Sequence, residues 1–105
     1  MVSAQLLFGL SRDDGRAVSE LAWRRFLAAQ ITPRFPAGLT VLAGEGQWRG
    51  PDGRLRRERA RIVLVVVPET PDLRARLDAV RAAYRARFAQ GSVGLVLSRA
   101  CASFR

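Results

Sequence analysis

Four residues stand in settings that could do chemistry: Arg34, Gln47, Trp48 and Glu58. Arg34 lies within Thr32-Pro33-Arg34-Phe35-Pro36-Ala37-Gly38-Leu39-Thr40-Val41. The two prolines stiffen the chain around it, and Gly38 permits a turn. A guanidinium on so stiff a connector is a preoriented contact for a small anionic ligand. The segment also reads as a rigid link carrying a solvated Arg. Gln47 and Trp48 belong to Gly44-Glu45-Gly46-Gln47-Trp48-Arg49. Here glycine lets backbone approach a ligand, the amide offers a donor and an acceptor, and the indole offers a flat wall. A bulged hairpin whose Trp packs on a neighbour would give the same string.

Glu58 sits among Arg56, Arg57, Arg59 and Arg61. If a strand runs through it, Glu58 shares a face with Arg56 and with Ile62, Leu64 and Val66. A carboxylate then points toward the mouth of an apolar face. Desolvated there, Glu58 is the candidate catalytic general base. The alternative is a structural ion pair with Arg34 or Arg56. Arg34 and Glu58 are expected to approach one another, or to share a pocket, between the hairpin and the end of the first helix.

Other chemistries lack their residues. There is no His, so zinc and haem sites of the usual kinds have no ligands, and neither a metal nor a cofactor is expected. The single Cys101 excludes an internal disulfide. Tyr84, Trp23 and Cys101 read as core, with no His to activate them.

The formal net charge of +9 suggests a polyanion partner, but all 18 basic residues are Arg, spread from Arg12 to Arg105. That skew is what a GC-rich genome yields without selection for nucleic acid. No apolar run is long enough for a membrane span; the longest, Ile62 to Val67, suits a buried strand. The first residues pass straight into strand-like sequence. The chain as given is expected to be cytoplasmic, or exported if a leader has been removed.

The elements that must carry these residues follow from pattern. Gln5 to Ser11 is a short apolar run and reads as a first strand. Ser19 is a good N-cap for a helix carrying Trp23, Phe26, Leu27 and Ile31 on one face, ending near Thr32 because Pro33 disfavours helix before it. Leu39 begins a second strand running to Arg49, with a bulge or close backbone approach expected at Gly44 and Gly46. Gly50-Pro51-Asp52-Gly53 is a turn, and Leu55 to Val67 is the returning strand of a long hairpin. Thr70-Pro71-Asp72 opens a second helix whose Leu73, Leu77, Val80, Tyr84 and Phe88 share one face, and Gly91 is placed to end it. Ser92 to Leu97 is the last strand. The order β-α-β-β-α-β predicts one α+β domain over residues 1–105: a ferredoxin-like four-stranded antiparallel sheet, both helices on one face, the first and third strands central.

The returning strand is apolar on both faces, with Ile62, Leu64 and Val66 on one and Val63, Val65 and Val67 on the other. Two helices cover one face only. Either the chain's own hairpin folds over the other, or a second copy does, sheet against sheet, as in dimeric α+β barrels.

The Phe8-Gly9-Leu10-Ser11 start, the T-P-R-F-P-x-G-L-T-V block at Thr32 to Val41, the G-x-G-Q-W segment at Gly44 to Trp48, R-x-E around Glu58 and the closing Ala100-Cys101-Ala102-Ser103-Phe104 together resemble a small bacterial family, the domain of unknown function 3574. The resemblance spans nearly the whole chain. It implies that Arg34, Gln47, Trp48 and Glu58 belong to the family pattern. It brings no established activity, so it carries over no catalytic residue. Members often bear an N-terminal export or lipoprotein leader.

The function expected is a small-molecule-binding protein or a cofactor-free enzyme of dimeric α+β barrel type, its pocket between sheet and helices. Arg34 would anchor an anionic group, Trp48 would stack, and Glu58 would act as base or acceptor. The alternatives are a structural or assembly protein without ligand and a nucleic-acid-binding module. The last needs aromatics on the open faces of the central strands, where only Phe8 could stack.

Overall fold

The computed structural model describes residues 1–105 and has six regular elements: β1 (Val2–Gly9), α1 (Glu20–Phe26), β2 (Thr40–Arg49), β3 (Leu55–Val67), α2 (Leu73–Phe88) and β4 (Gly94–Arg99). The strands form one antiparallel sheet in the order β2-β3-β1-β4. This is the ferredoxin-like arrangement expected from the pattern. No helix is long and apolar enough to cross a membrane.

Register decides which side chains meet the helices. Val2 pairs with Val67, Ala4 with Val65 and Leu6 with Val63, and all six are buried. Phe8 and Leu10 continue that side. The α1 face adds Trp23 and Phe26, with Ile31 just beyond it, and α2 adds Leu73, Leu77, Val80, Tyr84 and Phe88. Phe8, Trp23, Phe26, Tyr84 and Phe88 form a ring cluster with neighbouring centroids 4.8–6.4 Å apart, mostly edge-on. The centre between sheet and helices is therefore filled, which corrects the expectation of a pocket there. The space left there is a groove of about 320 Å³ at the β4 edge, between Val2 and Leu97 of the sheet and Leu73 and Leu77 of α2, remote from Trp48 and Glu58. Phe8 lies in this core and cannot stack on a base.

Several boundaries differ from expectation for local reasons. The Ser19 hydroxyl caps α1 by accepting from the Ala22 N–H at 3.1 Å. The helix then widens into a π-helical turn, Leu27–Ile31, and tightens into a 3₁₀ turn, Thr32–Arg34, at Pro33. α2 starts at Leu73, and Thr70 donates to the Asp72 carboxylate instead of capping the helix with its side chain. Ala89, not Gly91, takes the left-handed C-terminal position, with φ 48° and ψ 46°. Gly44 and Gly46 pair in unbroken register with Ala60 and Glu58, so β2 has no bulge. Cys101 is exposed, not core.

The opposite side of the sheet carries Leu7, Leu42, Ile62, Leu64, Val66 and Val96. Leu7, Leu42 and Val96 are 39%, 47% and 50% exposed. The hairpin does not fold back over them. β1 stops pairing with β3 at Gly9–Ala60, and beyond that point β2 and β3 run on together as a two-stranded arm to the turn at Gly50–Gly53. The molecule is elongated as a result, 45 × 27 × 24 Å.

Candidate functional site

The site lies on the open side of the sheet, where the arm leaves it. β3 presents Glu58 there, because Glu58 is in register with Ala60, Ile62 and Leu64. Its carboxylate rests on the backbone of Gly9 in the neighbouring strand. A Cβ at Gly9 would lie 2.6 Å from the Glu58 Cδ and 2.7 Å from Oε2, so only glycine admits the carboxylate. Across the hairpin, Trp48 shares that side of β2, two pairs beyond Gly46–Glu58, and is 47% exposed.

The far wall comes from two loops tied to the end of α2. The Asp13 N–H donates to the Ala89 carbonyl at 3.0 Å. The Gln90 amide donates to the carbonyls of Gly9, at 3.1 Å, and Ser11. The Tyr84 hydroxyl donates to the same Gly9 carbonyl at 2.6 Å from the helix side of the sheet. Gly9 is thus fixed from below and from the side while Glu58 lies on it from above. Burial pushes the Tyr84 phenol well above its ordinary pKa, and the negative charge of Glu58 adds to the effect.

These residues enclose a groove of about 540 Å³ whose lining includes Gly9, Asp13, Gly46, Trp48, Glu58 and Gln90. It adjoins a second of about 630 Å³, which shares Asp13, Trp48, Glu58 and Gln90 and adds Arg12, Arg56 and Arg57. Both have the volume of ordinary small-ligand sites. Charge is distributed unevenly. Arg56 pairs with Asp52 at 3.0 Å, and Arg61 and Arg24 pair with Glu20. Neither Glu58 nor Asp13 forms an ion pair. The expected pairing of Glu58 with Arg34 or Arg56 does not occur.

The structure brings Trp48 and Glu58 to one groove, has Gln47 border it with its side chain in register with Glu45 and Arg57 on the other face of the arm, and leaves Arg34 elsewhere. Arg34 lies in the helix layer, its Nη1 donating to the Gln30 backbone and side-chain oxygens at 2.8 and 3.0 Å. Its carbonyl accepts from Arg76 near the start of α2, whereas Glu58 lies by Tyr84 and Gln90 at the other end of that helix. Arg34 and Glu58 have no common cavity. Sequence reasoning passed over Gly9, Asp13 and Gln90. The available signal was position: Gly9 interrupts an apolar strand, and Asp13 and Gln90 lie in the loops that leave β1 and α2.

Two solved structures share the fold. A phage SAM lyase in complex with S-methyl-5'-thioadenosine superposes with a TM-score of 0.72 at 19% identity, over 92% of this chain and 79% of that one. A phage SAM lyase in the apo state gives 0.69 and 18%, over 92% and 78%. No curated protein matches the chain in sequence. Residues 3–104 match a family model, and the chain accordingly belongs to the family described as protein of unknown function, DUF3574.

Proposed function

We propose that this domain binds a small molecule in the groove at the root of the arm, and that the ligand combines a flat heteroaromatic ring with a positive charge. The observation that carries this is Glu58. In a chain with 18 Arg, its carboxylate lies against Gly9 with no cationic partner. A half-buried carboxylate left unpaired is a ready acceptor for a cation or a hydrogen-bond donor. Asp13 adds a second negative charge, Trp48 a stacking wall that also attracts cations, and Gln90 fixes orientation. Arg34 has no part in this reading, and the ligand's charge is opposite to that expected from Arg34.

A sulfonium nucleoside such as S-adenosylmethionine has these features. The ligand held by the phage lyase, S-methyl-5'-thioadenosine, is the neutral thioether nucleoside of that class. A sulfonium is already activated toward C–S cleavage, because its leaving group is a neutral thioether. A cofactor-free enzyme is therefore consistent with the groove, with Glu58 as base or charge stabiliser. We further propose that the domain works as a homodimer through the open side of the sheet. The central strands there offer aliphatic side chains and no aromatic, which suits a protein surface better than stacked bases.

Calorimetric titration with S-adenosylmethionine and S-methyl-5'-thioadenosine tests the reading. The cationic ligand should bind the wild type more tightly, and Glu58→Gln should lose that preference by about tenfold, the loss of one charge-assisted hydrogen bond. Chromatography of the same mixtures detects any thioether released. Absence of binding by either compound, or a Glu58→Gln variant indistinguishable from wild type, would overturn it.

A further inference from the structure

The arm is larger than its own contacts justify. Glu45–Arg49 and Leu55–Arg59 pair only with each other, apart from one bond from the Leu10 N–H to the Arg59 carbonyl. A lone two-stranded ribbon is at best marginally stable in water. The arm also makes the chain less compact than its length requires, with a radius of gyration of 14.4 Å against about 13 Å for a domain this long. It carries an exposed indole at Trp48 and, on the same side, Gly46, with Gly44 next on that side at its root. Those glycines have no internal reason. Neither has a positive φ, a Cβ at Gly44 would meet nothing within 4 Å, and one at Gly46 only the Glu58 carbonyl at 3.9 Å. Glycine weakens a strand and is kept where another backbone comes close.

We infer that a second copy of this chain packs on the open side, against the arm as well as the sheet, and forms the missing roof of the Glu58 groove. The inference rests on the site proposed above and names the partner that completes it. Area favours including the arm. Four strands about 4.8 Å apart and about six residues deep present roughly 400 Å² per copy, about 800 Å² for two, which is only the size of a packing contact. The two arm strands, about five residues each, bring the total to roughly 1,100 Å², above the ~1,000 Å² a specific interface needs. The glycine strip of β2 lets the partner approach closely, and the indole of Trp48 is buried in the process. Glu58 and the ligand are then shielded from water by the other copy, where charge interactions are stronger.

Gly44→Val is the decisive variant. It fills open space in the monomer and improves strand propensity, so the fold survives, but it obstructs the partner. Sedimentation should show the wild type dimeric at micromolar concentration and Gly44→Val with a dimer dissociation constant raised at least tenfold. Quenching by acrylamide reads the groove directly, because the chain has two Trp and Trp23 is fully buried. Trp48 should be protected in the wild type and quenched in Gly44→Val. A monomeric wild type overturns the inference, as does an undiminished Gly44→Val dimer or a dimer whose Trp48 is as quenchable as the variant's. A dimer that passes these tests but binds neither nucleoside leaves the interface standing and overturns the ligand reading alone.

Discussion

Replacing Gly9 by alanine separates the position of the Glu58 carboxylate from its presence. The backbone at Gly9 is ordinary strand without positive φ, so alanine is allowed there and only the contact changes. The new Cβ would stand 2.6 Å from the Glu58 Cδ and closer still to Oε1, and ordinary contact begins near 3.4 Å, so the carboxylate must retreat by about 1 Å or change rotamer. That retreat costs little stability. Glu58 has no ion pair to lose, an off-rotamer side chain costs about 0.5–1.5 kcal/mol, and alanine recovers roughly 0.5–1 kcal/mol over glycine in a strand. The net change in a urea titration should lie within about 1 kcal/mol of zero. Ligand affinity should respond far more. A charge-assisted hydrogen bond contributes about 1.5–3 kcal/mol, so displacing the carboxylate should weaken calorimetric binding roughly ten- to a hundredfold. Unchanged affinity would refute the role given to Glu58. A stability loss beyond about 2 kcal/mol would show that Gly9 serves the fold rather than the site.

Tyr84→Phe removes the hydroxyl that donates to the Gly9 carbonyl, but Gln90 still donates to that carbonyl. The expected cost is therefore about 0.5–1.5 kcal/mol by chemical denaturation, not the larger penalty of an orphaned acceptor. With Gln90→Ala added, the loss should exceed the sum of the single variants. Tyr84 is the only tyrosine, and burial and the Glu58 charge raise its pKa on folding. Its contribution to stability is complete below the unfolded tyrosine pKa of about 10 and declines as pH rises toward the folded value. Tyrosinate absorbance should thus stay absent past pH 10 and appear together with loss of the circular dichroism signal; a normal phenol titration in the folded protein would contradict this.

Much of the fold was legible because its signals are local. Alternation in the Ile62–Val67 run fixed both faces of β3, whose limits fall at the expected Leu55 and Val67. Ser19 and Pro33 marked the span of the first helical segment, and the apolar spacing of α2 identified its five buried residues. Errors arose where the deciding partner is remote. The start of β1 was missed because Ser3 and Gln5 face the open side and interrupt the apolar pattern. Ala89 rather than Gly91 ends α2, its left-handed conformation leading the chain to Gln90, which is bonded to β1. Glu58 was identifiable from strand parity, but its lack of an ion pair was not. That depends on Arg56 being taken by Asp52 and on Arg34 lying in the helix layer, neither of which strand parity records.

The strand order also constrains the path by which the chain reaches this structure. β2 and β3 are joined by a tight turn and can form early as a hairpin, whose closure costs little entropy. β1 is made first, yet it is central and must wait for both neighbours. Val2 pairs with Val67 on one side and with Arg99, almost at the other end of the chain, on the other. Until β4 is complete, β1 has an open hydrogen-bonding edge. Such long-range pairing slows folding and exposes apolar surface meanwhile. On a ribosome, the sheet can close only after β4 has emerged, so the growing polypeptide is most vulnerable to aggregation while β1 waits for that strand.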